Sequence, residues 1–239
     1  MAPTRVLILG HSFIHRLFSF LVAHFGRDFL ENFNLGDDLI FKWHGIGGRT
    51  VAKTRQLDLG VVRSFAPDIV ILQLGTNDLT ALSAVETGSA IEDLVRLLYD
   101  SYSVKRICVC QTIYRENAPL FNNKANTLSK YLRVVLEPIP YACYWKHRGF
   151  WNSKSRFLHR DGVHLNNLGH FKLYRSLRGA ILGCWRALSE ASLSASYCVS
   201  FYRRTLRFLN VLSAVSYPAF YLRSSVFLSM FIASSHFLF

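Results

Sequence analysis

The chain has 239 residues, 51% of them hydrophobic and 18% charged, a balance that excludes a disordered polypeptide and leaves room for one compact domain with a core. Its five cysteines, Cys108, Cys110, Cys143, Cys184 and Cys198, are odd in number and contain no CxxC pair, so they indicate neither a disulfide framework nor a zinc knuckle and read as reduced core residues. The net charge is +13, but four arginines sit in the acid-free residues 191–239; 24 basic and 15 acidic residues remain, +9, dispersed over helix surfaces, so charge alone allows a nucleic-acid partner without favouring one.

After Arg5 come four apolar residues, Val6 to Leu9, and then Gly10, His11 and Ser12. The run is too short for the hydrophobic region of a secretory signal, which points to a cytoplasmic protein. It reads instead as a buried parallel strand ending in a tight turn. Phe13, Ile14, Leu17, Phe18 and Leu21 follow at helical spacing, so Ser12 stands where strand gives way to helix. A hydroxyl there is exposed above the sheet edge beside free backbone N–H groups, a place for a nucleophile. Serine equally suits a helix N-cap.

Leu39 to His44 predicts a second strand, closed by Gly45-Ile46-Gly47-Gly48-Arg49-Thr50. The glycines permit a backbone close to a ligand, although their spacing completes neither a dinucleotide fingerprint nor a phosphate loop. Pro67 introduces the third strand, Asp68 to Leu74, which runs into Gly75-Thr76-Asn77-Asp78. Polar residues directly past a strand's carboxyl end occupy the crevice where open α/β sheets bind ligands. Ile91, Leu94, Val95 and Leu98 mark a helix, and Arg106 to Gln111 a fourth strand. A polar loop around Asn117 and Pro119 leads to a helix carrying Ala125, Leu128, Leu132 and Val135. Tyr141 to Trp145 is a short fifth strand. Five strands alternating with helical patterns predict an α/β/α three-layer sandwich on a five-stranded parallel, flavodoxin-like sheet.

The next loop carries Lys146, Arg148, Lys154, Arg156 and Arg160 among Tyr144, Trp145, Phe150, Trp151 and Phe157, a composition that could stack bases or fix a long loop. It ends in Asp161-Gly162-Val163-His164, before a closing helix marked by Leu173, Leu177 and Ile181. An Asp and a His three apart around a glycine turn can pair carboxylate with imidazole. His159, Asp161 and His164 are also potential metal ligands, but their spacing matches no recognised zinc pattern, and no metal is expected.

Gly10-His11-Ser12, Gly45 to Thr50, Gly75-Thr76-Asn77-Asp78 and Asp161-Gly162-Val163-His164 together resemble the four blocks of the SGNH (GDSL) hydrolases. The resemblance covers roughly residues 4 to 186. It implies a serine esterase that needs no cofactor, acts on small acyl esters and forms a covalent acyl-serine. Ser12 is then the nucleophile, His164 the general acid/base and Asp161 its orienter; the N–H groups of Ser12 and Gly48 and the Asn77 amide form the oxyanion hole. Two departures stand out. His11 occupies the place of the family's aspartate, putting a potential base beside the nucleophile, and His44 and Gly45 stand where an asparagine often begins the second block. The competing reading is a non-catalytic module of the same shape that holds a sugar, lipid or nucleic acid, with a basic charge compatible with a retroelement origin.

Beyond Glu190 acids vanish and serines multiply, so the chain divides into a hydrolase-like domain, 1–190, and a tail, 191–239. Phe208 to Leu222 and Ser224 to Phe239 are apolar, but each falls short of the roughly 20 residues a spanning helix needs. Membrane contact through residues 205–239 is the expectation they allow. Oligomeric state leaves no trace in the sequence. Substrate preference is expected to reside in loops 117–127 and 146–160.

Overall fold

The computed structural model describes the backbone of residues 2–150 and 156–214, and the side chains of those up to residue 191. Five strands, β1 (Thr4–Gly10), β2 (Leu39–Gly45), β3 (Ile69–Gln73), β4 (Arg106–Cys110) and β5 (Ala142–Trp145), form one sheet in the order β2-β1-β3-β4-β5. Every neighbouring pair is parallel. This is the flavodoxin-like order, in which the chain reverses direction of travel between β1 and β3 and opens a crevice at their carboxyl ends.

Parallel pairing demands crossovers, and crossovers bury both faces. The strand sequences supply an apolar residue for each face in turn. Val6, Ile8, Ile69, Ile71, Cys108 and Cys110 point into one core, and Leu7, Leu9, Val70, Leu72, Ile107 and Val109 into the other. The first core is closed by α1 (Ser12–Phe25) and α7 (Asn167–Ala214), through Phe13, Ile14, Leu17, Leu21, Leu173, Leu177 and Ile181. The second is closed by α3 (Val51–Leu57), α4 (Leu59–Phe65), α5 (Ala84–Tyr102) and α6 (Pro119–Leu136). Each such aliphatic side chain contributes about 1.5–3 kcal/mol on burial, so the pattern fixes which face every strand presents.

Several local features were not legible beforehand. The short α2 (Phe29–Asn32) and the pair α3 and α4 fill segments that carry little apolar periodicity. The stretch 117–127 is not a loop: α6 begins at Pro119, because proline's fixed φ and missing N–H suit the first helical position. Helix α5 starts with a reciprocal capping box between Ser83 and Glu86.

By their contacts the residues divide into two units, Met1–Ala191 and Ser192–Phe239. Of the apolar tail stretches, 215–239 lie outside the described residues. Among the described residues, no helix is long and apolar enough to cross a membrane.

Candidate active site

The first elbow is built around a close approach of two strands. At Gly10 a Cβ would stand 2.7 Å from the Gln73 carbonyl oxygen and 2.8 Å from Ile14 Cγ1, so a larger residue would push β1, β3 and α1 apart. The helix cap that follows is His11, not Ser12: the Phe13 N–H donates to His11 Nδ1 at 3.4 Å. That leaves Ser12 as the first helical residue, with its hydroxyl released from capping. Among the described residues neither the Ser12 hydroxyl nor its backbone N–H has a hydrogen-bond partner.

His11 itself is fully buried. With Nδ1 accepting, Nε2 carries the proton, and it has no partner among the described residues. Burial, aided by the charges of Arg115 and His164, lowers its pKa from 6.5 to about 3. It is therefore a neutral capping group and not the base beside the nucleophile that its position suggested.

The glycine turn after β2 is held from below. Gly48 sits at φ +70°, a left-handed conformation that glycine adopts without strain, and its N–H donates to no group among the described residues. Asn77 Nδ2 donates to the Arg49 carbonyl at 2.8 Å, tying the third block to the second while leaving its other N–H free. Asp78 is 3% exposed and accepts from the Val51 N–H at 2.9 Å, fixing the start of α3. Burial raises its pKa against the pull of the backbone N–H groups of Val51, Asp78 and Gly75. Arg49 is clamped in turn by the buried Asp58, at 2.8 Å from Nε, and Asp58 also accepts from His44 Nε2 at 2.9 Å. His44, where the resemblance expects an asparagine to begin the block, thus belongs to the scaffold of this turn. Sequence reading had no signal for Asp58 or Arg49, whose meeting depends on how α3 folds back.

His164 and Asp161 come from a different kind of element. Residues 158 to 165 form a small loop closed by an antiparallel bridge between Leu158 and Leu165. Asn166 fastens it by donating to the Arg156 and Leu158 carbonyls and capping α7 through Gly169 N–H. Inside the loop, Asp161 Oδ1 accepts from the N–H groups of Val163 and His164, each at 2.9 Å, and Oδ2 accepts from His164 Nδ1–H at 2.7 Å. Desolvation pushes the Asp161 carboxyl up, but the Val163 N–H, the His164 imidazole and the His164 N–H outweigh it and hold its pKa well below the usual carboxylate range. The pair fixes the tautomer of His164 and leaves Nε2 without a partner among the described residues. Glu116 N–H donates to the Gly162 carbonyl at 2.7 Å and secures the turn to the segment after β4.

The two halves meet at Phe13, whose ring stands edge-on to the His164 imidazole with centroids 6.3 Å apart. Arg115 bridges the rim. It donates to the Thr76 carbonyl at 3.1 Å and lies 4.0 Å over the Phe121 ring, with burial lowering its pKa. The structure thus gathers Ser12, the Gly48 turn, Asn77 and the Asp161–His164 pair along the carboxyl ends of β1, β2 and β3 and the loop after β5. It does not join Ser12 to His164 by a hydrogen bond. A separate cavity of about 660 Å³, lined by the rings of Trp145, Phe157 and Phe171 with Lys146, Arg148, Lys172 and Arg175, includes none of these residues.

A profile of the GDSL-like lipase/acylhydrolase family matches residues 9–171. None of the curated proteins matches the chain. Among solved structures, an acetyl esterase variant bound to acetate is similar with TM-score 0.61 and 14% identity, over 77% of this chain and 99% of that one. A variant of an acetylxylan esterase from Geobacillus stearothermophilus is similar with TM-score 0.56 and 16% identity, over 74% and 94%. An α/β hydrolase from the metagenome of Lake Arreo in Spain gives TM-score 0.57 and 18% identity, over 77% and 97%. At such identities the likeness establishes the fold.

Proposed function

The chain belongs to the GDSL-like lipase/acylhydrolase family, and on that premise we propose that it hydrolyses small acyl esters through a covalent acyl-serine formed on Ser12. The observation that carries the reading is the 2.7 Å bond between Asp161 and His164 Nδ1, which leaves Nε2 free in a loop that touches the residue after Ser12. Family membership supports ester hydrolysis in general, and the geometry supports this assignment of roles.

Serine attacks an ester only if its proton leaves as the bond forms. His164 Nε2 takes that proton, while Asp161 steadies the imidazolium without itself being protonated. Negative charge then develops on the former carbonyl oxygen. The unpaired N–H groups of Ser12 and Gly48 and the second N–H of Asn77 are the donors available to it, already oriented before the reaction. His164 next returns its proton to the departing alcohol, and a water molecule, activated by the same imidazole, releases the acid from Ser12. Ser12 and His164 share no hydrogen bond in the free protein, and on this reading the bond forms as substrate seats, a tightening common between free and occupied hydrolases. The test is steady-state hydrolysis of 4-nitrophenyl acetate by the full chain. Turnover abolished in both Ser12→Ala and His164→Ala is expected; full turnover in either would end this reading.

One observation favours a second use for the domain. The cavity beside Trp145 is lined by four cationic side chains and no acidic one, Lys146, Arg148, Lys172 and Arg175, around the rings of Phe157 and Phe171. That chemistry suits an anionic ligand with an apolar portion, such as single-stranded nucleic acid. Salt-dependent retention on an oligonucleotide without ester hydrolysis would support the binding module over the enzyme.

A further inference from the structure

The ester chemistry proposed above uses none of the cysteines. Cys108 on β4 and Cys143 on β5 are direct register partners, so both side chains leave the sheet on the same face. Cys184 reaches them from α7. The three Sγ atoms lie within 4.8 Å of one another, and Cys143 and Cys184 are 3.8 Å apart. Among the described residues no other group of three potential ligands is so close, and His159, Asp161 and His164 form no such group.

The spacing is informative. Sulfurs bound to one cation at about 2.3 Å stand roughly 3.8 to 4.0 Å from each other, for tetrahedral or planar angles. The Cys143–Cys184 pair already meets that condition, and the others need close by less than an ångström. A disulfide would require the same sulfurs at about 2.05 Å. Cys108 and Cys184 are 0% and 2% exposed, whereas Cys143, on the edge strand β5, is half-buried and is the member of the group nearest to solvent. Arg106, two residues before Cys108 on β4 and so on the same face of the sheet, has a buried Nε without a hydrogen-bond partner among the described residues. A cationic donor facing clustered thiols is what a negatively charged metal–thiolate centre requires.

We propose that Cys108, Cys143 and Cys184 form a three-thiolate site for Cu(I). The ligand set contains sulfur alone, which selects a soft cation, and supplies three ligands where structural zinc takes four. Binding exchanges three S–H protons for three Cu–S bonds, with no change of oxidation state, and leaves a centre of net charge −2 against the Arg106 guanidinium. The sequence hides the site because its members come from two strands and a helix, with no short spacing between them.

The test is anaerobic titration of the reduced full chain with Cu(I) in competition with a chromophoric Cu(I) chelator. One equivalent withheld from the chelator is expected, with X-ray absorption showing three sulfurs at about 2.3 Å. Cys143→Ser, at the half-buried edge position, should weaken retention at least 100-fold, while Cys110→Ser and Cys198→Ser should leave it unchanged. A thermal melt of apo Cys143→Ser matching the parent keeps that result interpretable; if it does not fold, the upward shift of the parent's melting temperature by one equivalent of Cu(I), and its absence with Zn(II), takes its place. No Cu(I) withheld, retention unaffected by Cys143→Ser, or stronger retention of Zn(II) than of Cu(I) would overturn the proposal.

Discussion

The two halves of the candidate site are held in opposite ways. Ser12, Gly48 and Asn77 stand past the ends of strands; Ser12 follows the buried cap His11, and the Gly48 turn and Asn77 are tied by bonds between separate segments, Asn77 to the Arg49 carbonyl, Asp78 to the Val51 N–H and Asp58 to Arg49. Asp161 and His164 sit on an open loop, their side chains 47% and 24% exposed, and the two side chains are held by bonds spanning three residues or fewer. The groups proposed to stabilise charge are thus the ones tied between separate segments of the chain. The group proposed to move a proton twice, and to admit water between, is on the more open element. On this view a lesion on the sheet side costs activity and stability together, and one on the loop side costs activity alone.

The largest effect on activity is expected at Asn77. Asn77→Ala removes one oxyanion donor and the bond to the Arg49 carbonyl, and should lower kcat by about 10²–10³ with little change in KM. Steady-state kinetics on a chromogenic ester measures it. Asp161→Asn should lower kcat by about 10², since the imidazole loses its charged orienter, while denaturant unfolding shifts by less than about 0.5 kcal/mol. A large stability loss there would break the contrast. Asp78→Ala should do the reverse: it leaves the buried Val51 N–H unpaired at a cost of about 1–3 kcal/mol, and reduces turnover about 10-fold by loosening the Gly48 turn.

The smallest effect at neutral pH concerns His11, and acid exposes it. Its folded-state pKa of about 3 lies below the ordinary 6.5, so the unfolded chain binds a proton that the native one refuses between those values. Stability is therefore full above about pH 6.5 and falls as the pH drops toward 3. His170, lowered to about 4 chiefly by burial, adds to the same slope. His11→Asn keeps a capping acceptor and removes the titration. Its urea midpoint should fall less steeply than the parent's between pH 6.5 and 4, and an unchanged slope would show that His11 is solvated.

The difference between the halves also decides what could be read in advance. The central strands β1, β3 and β4 were legible as apolar runs buried on both faces, and the edge strands β2 and β5, only partly buried, by their aromatic and β-branched residues between turn signals. The Asp161–His164 pairing was legible because it is local, a carboxylate and an imidazole three residues apart across a glycine. The sheet-side scaffold was not. That Asp58 reaches Arg49 and His44, or that Asp78 holds the Val51 N–H, depends on where α3 and α4 turn, and their sequences carry weak periodicity. Ser12 shows the same limit in miniature, since only the structure reveals that His11 takes the capping role.

The measurement closest to the central claim is the site of covalent capture by a fluorophosphonate probe, mapped by peptide mass spectrometry on the full chain. The account predicts a single modified residue, Ser12, with labelling slowed at least about 10³-fold in His164→Ala. Modification of another serine, or undiminished labelling of Ser12 without His164, would contradict it.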